Sequence, residues 1–376
     1  MMTFDRTDQS VFGRWWWTID RLQLGALAVL MGLGTVLITA ASPPVAERIG
    51  IQDTFYFVER HLMMLVPAVA IMVAVSLLSP KGVKRAALCL YIAALALVFA
   101  TLVIGVEIKG ARRWIHVPGL SIQPSEFVKP AFAVVAAWLF SLSRTNPGFP
   151  GALVSIALYG VTVAGLVLQP DMGMTFVVSA VWFTQFFLAG LNIMLVMGLA
   201  GAGVAGLIGA YNTLPHFASR IDRFLDPAAG DNYQVSRSME AFANGGLLGT
   251  GPGQGTVKFS LPDSHADFIF AVAGEELGLI FCLFLVVLFA FIVLRGFSRI
   301  HKEDNLFVVL ATAGLLVQFG LQAIVNMAST LRMMPAKGMT LPFISYGGSS
   351  MVALALGMGM VLALTRTRYG REGMEA

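Results

Sequence analysis

The 376-residue sequence contains little charge and almost no cysteine. Asp, Glu, Lys and Arg make up 12% of its residues, whereas a soluble domain has about 25%, and 57% of its residues are hydrophobic. This composition excludes an ordinary soluble protein and predicts a polytopic membrane protein. The two cysteines, Cys89 and Cys282, lie inside apolar runs, which favours buried thiols over a disulfide or a metal site.

The sequence also lacks a dense cluster of basic residues. Its formal net charge is only +4, and Lys and Arg are spread along the chain. Because nucleic-acid binding needs a concentrated basic surface, we expect no nucleic-acid partner.

Long apolar runs dominate the rest of the chain. Runs of about 20 residues are long enough to cross a bilayer as helices. Ten are present, near Leu22–Ala41, His61–Leu78, Ala86–Val106, Glu126–Leu142, Gly151–Leu168, Met172–Leu188, Ile193–Tyr211, Phe268–Leu294, Leu306–Met327 and Tyr346–Leu364. We therefore expect an all-α polytopic membrane protein of about ten transmembrane helices that form one domain over residues 1–376.

The distribution of basic residues predicts how these helices are oriented. Ten spans place both termini on one side, and the short loops on that side carry Lys and Arg with few acids. Short basic loops face the cytoplasm, so residues 1–21 and the tail 366–376 are predicted to be cytoplasmic. Residues 212–267, between the seventh and eighth spans, then form a large loop on the outer side.

Charged residues cluster where the fourth span begins on the outer side. The stretch KGARRWIHVPGLSIQPSEFVKP holds Arg112 and Arg113, whose guanidinium groups suit phosphate oxygens. Glu126 and Lys129 follow, three residues apart, and therefore share one helix face. An ionisable residue inside a span indicates a functional site, although a structural ion pair or ordinary surface charge would explain the same pattern.

Two further outer features have simple structural explanations. Asp171 stands directly before the sixth span, where its simplest role is the N-cap of that helix. The glycines from Gly245 to Gly255 suggest a phosphate-binding loop only weakly, since no strand precedes them and no Gly-Lys-Ser/Thr follows. We expect them to shape an irregular segment lying against the membrane.

The stretch LPDSHADFIFAVAGEELG carries the candidate catalytic group. His265 and Asp267 directly precede the eighth span, and Asp267 suits either a general base or a helix cap. At 100° per residue, Glu275 would lie about 80° from Asp267, and Glu276 nearly opposite. Glu275 is therefore predicted to face a cavity shared with Asp267, and Glu276 to pair with another helix.

Polar residues also enter the last two spans. Gln318, Gln322 and Asn326 form a stripe at every fourth position of the ninth span, which predicts contacts with neighbouring helices. The stretch MMPAKGMTLPFISYGGSS, which contains Lys337 and Ser345, places irregular backbone at membrane depth. Such backbone is tolerated where it lines a cavity or is buried in protein.

The joint pattern of these charges indicates a type of substrate. Nearly all of the intramembrane and interfacial charges collect on the outer side. One candidate base with several cations suits a lipid-linked substrate that has a diphosphate leaving group.

Several of these stretches together resemble the SEDS family (shape, elongation, division and sporulation), and the resemblance runs from the first span to the last. They are KGARRWI, QPSEFVK, QPD.G, SRIDRFLDP, LP..H.DFIFAV.GEELG and KGMTLPFISYGGSS, of which the last resembles the cell-division branch. The resemblance implies a peptidoglycan glycosyltransferase of the bacterial inner membrane, active at the division septum and surrounded by membrane lipid. It also implies lipid II as substrate, and as partners a class B penicillin-binding protein and other divisome membrane proteins.

The resemblance further implies roles for individual residues. Asp267 matches the essential acid of the family and is the expected general base. Arg113 and Lys129 match basic residues of the family's central cavity, and Lys337 matches a lysine typical of the division branch. Together with residues singled out by their position in the sequence, they make up the predicted substrate-binding set: Arg113, Lys129, Glu126, His265, Lys337 and Ser345. The predicted supporting residues of the cavity are Arg112, Asp171, Glu275 and Gln322. We expect no tightly bound cofactor and no metal held by the protein. Whether the reaction requires Mg²⁺ or Mn²⁺ stays open.

Two other functions stay open at this point. Polar residues within a many-span bundle would also suit a lipid II transporter. A non-catalytic division scaffold would need neither Asp267 nor Arg113. The residues alone do not separate an enzyme from a transporter, because one fold can support either function.

Overall fold

The computed structural model describes residues 10–108, 111–117, 120–190, 193–213, 215–226, 233–335 and 338–367. Its helices are α1 (Val11–Thr18), α2 (Arg21–Arg48), α3 (Tyr56–Ser76), α4 (Pro80–Ile104), α5 (Pro124–Thr145), α6 (Gly151–Leu168), α7 (Met172–Leu188), α8 (Ile193–Thr213), α9 (Pro215–Leu225), α10 (Tyr233–Gly245), α11 (Ile269–Ile300), α12 (Leu306–Thr330) and α13 (Gly348–Leu364). Three strands, β1 (Val106–Ile108), β2 (Ala111–Val117) and β3 (Leu120–Ile122), lie between α4 and α5, and a 3₁₀ turn (Val257–Phe259) lies between α10 and α11.

Each of the ten predicted apolar runs is helical, and the multi-pass helical architecture is confirmed. Within the described residues, seven helices are long and apolar enough to cross a membrane by length and composition: α2, α3, α4, α5, α6, α11 and α12. The helices α7 and α13 are also apolar but have 17 residues each. The predicted seventh span corresponds to α8.

The centre of the bundle is formed by α5 and α12, most of whose residues are buried. The helix α5 packs against α4, α6, α7, α12 and α13, and α12 packs also against α11. Small buried residues let these neighbours approach α5 closely, namely Ala131, Ala133, Ala136 and Ala137.

Polar caps define where several helices begin. Asp20, Ser79, Asp171 and Asn305 each accept a hydrogen bond from a backbone N–H in the first turn of the helix that follows. Such a side chain satisfies an N–H group that has no partner within the helix. The capping role predicted for Asp171 is therefore confirmed.

The two ends of the described chain lie on the same face of the bundle. The backbone N–H of Thr367, which follows α13, donates to the carbonyl of Thr18 at the end of α1. Nearby, Asp20 accepts hydrogen bonds from Arg295 and Arg299 in the last turns of α11.

The strands between α4 and α5 form a small antiparallel sheet of order β1-β2-β3, which we did not predict. Neighbouring residues of a strand point to opposite faces of the sheet. The sheet therefore separates Arg113, which is partly buried, from Arg112, which is exposed and pairs with Glu107 at 3.4 Å.

The helix α11 is interrupted at Gly278, whose φ of 78° and ψ of −178° are not helical. The glycine-rich segment 246–251 fills the break. The N–H groups of Leu279 and Ile280 donate to the carbonyls of Gly246 and Leu247, at 3.0 and 3.3 Å. In return, the N–H groups of Thr250 and Gly251 donate to the carbonyls of Glu275 and Glu276, at 2.9 and 3.0 Å. As predicted, the glycines shape irregular backbone, here inserted into a helix.

Candidate active site

A cavity of about 1150 Å³ opens beside α3, α5, the sheet and the turns that precede α11. It is larger than most small-molecule pockets, which measure about 300–1,000 Å³. Five of the predicted site residues line it: Arg113, Glu126, Asp171, His265 and Asp267. The sequence separates these residues widely, and the fold brings them to one space.

Asp267 sits in the turn immediately before α11 and is partly exposed. The turn begins with Asp263, whose φ is 53° and whose carbonyl accepts from the N–H groups of Ala266 and Phe268. Gly338 lies beside the carboxylate, since a Cβ at that position would lie 3.3 Å from Asp267 Oδ2. Asp267 therefore presents a carboxylate to the cavity without belonging to a helix.

His265 packs between two aromatic rings at the edge of the same cavity. Its ring centroid lies 4.3 Å from that of Phe57 and 5.3 Å from that of Tyr346. Burial lowers the pKa of His265 to about 4, an effect that Asp263 opposes and Arg48 reinforces. His265 is therefore neutral near pH 7 and presents no positive charge to a phosphate.

Glu126 and Lys129 form a buried ion pair on α5. Lys129 Nζ lies 2.8 Å from Glu126 Oε2, and the two form an ion pair without hydrogen-bond geometry. Lys129 Nζ also donates to Gln322 Oε1 at 2.8 Å. The lysine side chain is 1% exposed, so Glu126 lines the cavity and Lys129 lies behind it.

Arg113 holds the turn between α6 and α7. Its Nε donates to the carbonyl of Gln169 at 2.9 Å, and its Nη2 donates to the carbonyl of Pro170 at 2.5 Å. Its Nη1 lies 3.6 Å from Asp171 Oδ2. With 22% of its side chain exposed, Arg113 both holds this turn and lines the cavity.

The segment 338–347, which we call the strap, joins the cavity to the centre of the bundle. Gln322 Nε2 donates to the carbonyl of Thr340 at 3.1 Å. Ser345 Oγ donates to the carbonyl of Ala266 at 2.6 Å and accepts from the N–H of Leu341. Gln322 and Ser345 thus hold the strap in place, while the predicted ligand Lys337 lies outside the described residues.

Glu275 does not face the cavity, and that expectation was wrong. Its carboxylate is fully buried and accepts from Asn244 Nδ2 and from the N–H groups of Thr256, Val257 and Lys258, at 2.7–3.1 Å. The 100° rule assumed one continuous helix, but Asp267 precedes the first residue of α11. Glu276, expected to pair with a helix, instead contacts Lys258 Nζ at 2.5 Å.

Arg60, Arg332 and Asn326 are among the cavity residues that were not selected from the sequence. Arg60 at the start of α3 and Arg332 after α12 both line the cavity. Isolated basic residues at the ends of spans are common, so their charge alone did not distinguish them. Asn326 also lines it, and its place in the polar stripe of α12 was the available signal.

The chain is similar to known proteins along nearly its whole length. Residues 20–370 match the model of a family described as "Cell cycle protein", which carries the names FtsW, RodA and SpoVE. Its relatives include the probable peptidoglycan glycosyltransferase FtsW of Caulobacter vibrioides, 46% identical over 98% of this chain and 95% of that one. The protein of the same name from Tolumonas auensis is 34% identical over 92% of this chain and 91% of that one.

Solved structures share the fold. One belongs to a peptidoglycan synthase complex, described as coordinating polymerization and crosslinking, with a TM-score of 0.77 and 27% identity over 92% of this chain and 97% of that one. Another is the rod shape determining protein RodA of Thermus thermophilus, with a TM-score of 0.68 and 27% identity over 92% of this chain and 96% of that one. The family match, the relatives and the shared fold agree with the resemblance of the motifs: this chain is a multi-pass membrane protein of the FtsW, RodA and SpoVE family, in its FtsW cell-division branch.

Proposed function

We propose that this protein is a peptidoglycan glycosyltransferase that polymerises lipid II into glycan strands during septal cell-wall synthesis. The observation that carries the proposal is the placement of Asp267. Its carboxylate lines a cavity wide enough for sugar units and shares that cavity with Arg60, Arg113 and Arg332. The names of the FtsW relatives support the same activity.

The proposed reaction is a single displacement. The 4-hydroxyl of the acceptor N-acetylglucosamine attacks C1 of the donor N-acetylmuramic acid while Asp267 removes the hydroxyl proton. The C1–O bond to undecaprenyl diphosphate breaks, and the configuration at C1 inverts, as a displacement with one base requires. Asp267 becomes protonated and later returns the proton to water.

The leaving diphosphate is proposed to meet the guanidinium groups that line the cavity. The side chain of Arg113 is 22% exposed, and Arg groups bind phosphate oxygens through paired N–H donors. Lys129 is proposed to act indirectly: its ammonium group lies behind the cavity wall and balances the charge of Glu126. His265, which is neutral, is proposed to contribute shape rather than charge.

For a divalent cation, we propose that the substrate and not the protein supplies most of the ligands. Among the described residues, no group of three or more His, Cys, Asp or Glu side chains is arranged to hold a metal ion. Of the acids at the wall, Glu126 and Asp171 already pair with Lys129 and Arg113. If Mg²⁺ or Mn²⁺ is required, we expect it to arrive with the diphosphate and be held mainly by the substrate.

We further propose that the chain works in the inner membrane at the septum, with both termini in the cytoplasm. A class B penicillin-binding protein would crosslink the strands it makes, alongside other divisome membrane proteins. The structural match to a peptidoglycan synthase complex supports this partnership.

The test is glycan polymerisation by the chain purified with its penicillin-binding partner, whose transpeptidase serine is inactivated. Labelled lipid II is supplied, and products are resolved by gel. Asp267→Asn should make no strands, whereas Asp263→Asn, in the same turn, should retain most of the activity. Strands made by Asp267→Asn at the wild-type rate would overturn Asp267 as the base. No strands from any form, with lipid II crossing liposome membranes, would favour a transporter, and neither activity would favour a scaffold.

A further inference from the structure

We propose that Asn326 of α12 is the positioning residue for Asp267, which it holds at the reaction centre through its side-chain amide. The inference rests on the proposed function, since it concerns the proposed base. Asn326 lies in the same cavity wall as Asp267 and is 2% exposed.

The amide group of Asn326 bridges two parts of the chain. Its Nδ2 donates to the carbonyl of Asp267 at 2.9 Å and to the carbonyl of Met339 at 2.6 Å. Because both partners are carbonyl oxygens, only the NH₂ group of the amide satisfies them, and the orientation of the side chain follows. One buried group therefore ties the turn that carries the acid to the strap.

Asp267 is the last of three consecutive residues secured in this way. The carbonyl of His265 accepts from the N–H of Tyr346 at 2.9 Å, and the carbonyl of Ala266 accepts from Ser345 Oγ at 2.6 Å. Asn326 supplies the third bond, at the acid itself. Three bonds in succession fix the backbone of the turn, and with it the starting point of the Asp267 side chain.

The other half of the amide indicates why an asparagine is needed. Asn326 Oδ1 is buried and has no hydrogen-bond partner within the described part of the chain. A buried polar atom without a partner is destabilising, so a leucine of similar size would serve better if packing alone mattered. What the asparagine adds is the pair of N–H donors that leucine lacks.

The stripe on α12 offers a matched control. Gln318, two turns earlier, is 3% exposed and likewise has a buried side-chain oxygen without a partner in the described residues. Replacement of Gln318 by leucine removes a buried amide from the same helix without touching the turn that carries Asp267.

The experiment measures the kcat and KM of lipid II polymerisation for Asn326→Leu, Asn326→Gln, Gln318→Leu and Asp267→Asn in the complex with the penicillin-binding partner. A misplaced catalytic group costs on the order of 100-fold in rate. We expect Asn326→Leu to lower kcat about 10- to 100-fold with KM changed less than about threefold, since an interaction that only positions the acid affects the chemical step. Asn326→Gln, which keeps the donor, should recover part of kcat, and Gln318→Leu should match wild type.

Two outcomes would overturn the inference. One is an unchanged kcat in Asn326→Leu. The other is a loss of kcat in Asn326→Leu that comes with a lower unfolding temperature and is not recovered in Asn326→Gln. That result would indicate a structural role alone. If Asn326→Leu does not fold, Asn326→Gln is compared with wild type instead. Its donor is displaced by one methylene, so kcat should be lower than in wild type, and an unchanged kcat would overturn the inference. Activity in Asp267→Asn would refute the proposed base itself, and so the two failures are distinguishable.

Discussion

The backbone N–H of Leu279 donates a hydrogen bond of 3.0 Å to the carbonyl of Gly246, across the break in α11. Gly278 makes this contact possible, because its φ of 78° turns the chain out of the helix for one residue. The groups that the break leaves without helical partners are satisfied by the segment 246–251. Backbone groups without partners are costly in a membrane protein, which explains why break and segment occur together.

Gly278→Ala should therefore be strongly destabilising. A Cβ there would lie 2.5 Å from the carbonyl oxygen of Leu247, and the backbone conformation is one that alanine avoids. We expect a loss of about 3 kcal/mol or more, measured by thermal unfolding in detergent. Gly253 has the same φ of 78° but open space around it, so Gly253→Ala should lose only about 1 kcal/mol. Equal losses in the two variants would contradict this account.

Glu275→Gln should destabilise the loop that precedes the turn carrying Asp267. The carboxylate accepts four hydrogen bonds with both of its oxygens, whereas a glutamine side chain has one acceptor and must direct an NH₂ group at an N–H donor. We expect a loss of about 2–3 kcal/mol and faster proteolysis within residues 244–258. Glu240→Gln removes an exposed carboxylate that pairs with Arg237 and should change stability by less than about 0.5 kcal/mol. A glutamine variant as stable as wild type would show that the charge at position 275 is dispensable.

The stability of the protein should depend on pH through His265. The pKa of this residue falls from an unfolded value of about 6.5 to about 4 in the folded state, chiefly through burial. The folded state therefore prefers the neutral ring, and the stabilisation is complete above about pH 6.5 and is lost as the pH falls towards 4. The total effect is on the order of 3 kcal/mol.

Thermal unfolding between pH 4 and 7 checks this expectation. His265→Gln should reduce the dependence over this range, because glutamine does not titrate. His301→Gln, at an exposed position, should keep the wild-type slope. An unchanged slope in His265→Gln would assign the pH dependence to another group.

The positions of the helices were predictable, because apolar runs of membrane length have few alternatives to a helix. The helix ends were less so: α11 continues to Ile300, since Arg295 and Arg299 in its last turns bind Asp20. The sheet formed by β1, β2 and β3 was missed, because its strands are short and β2 carries two arginines and a histidine.

Within the site, residue types were easier to predict than their partners. Asp267, Arg113, Glu126 and His265 were all predicted at the site and line the cavity, since they lie in or beside the segments that connect the spans. The orientation of Glu275 could not be read from the sequence, because it depends on where α11 begins and on the loop that fills its break. Asn326 was visible only as one member of a stripe, and its contact with Asp267 depends on the fold of a distant turn.

The interrupted α11 also bears on biogenesis. As the chain emerges, the apolar run 269–300 is available to the insertion machinery as one helix, and a straight helix satisfies its own backbone. The break acquires these partners only when the segment 246–251, which precedes α11 in the chain, docks against it. We therefore expect membrane insertion of this helix and closure of its break to be two separate events, because insertion needs only the apolar run whereas closure needs the segment in place.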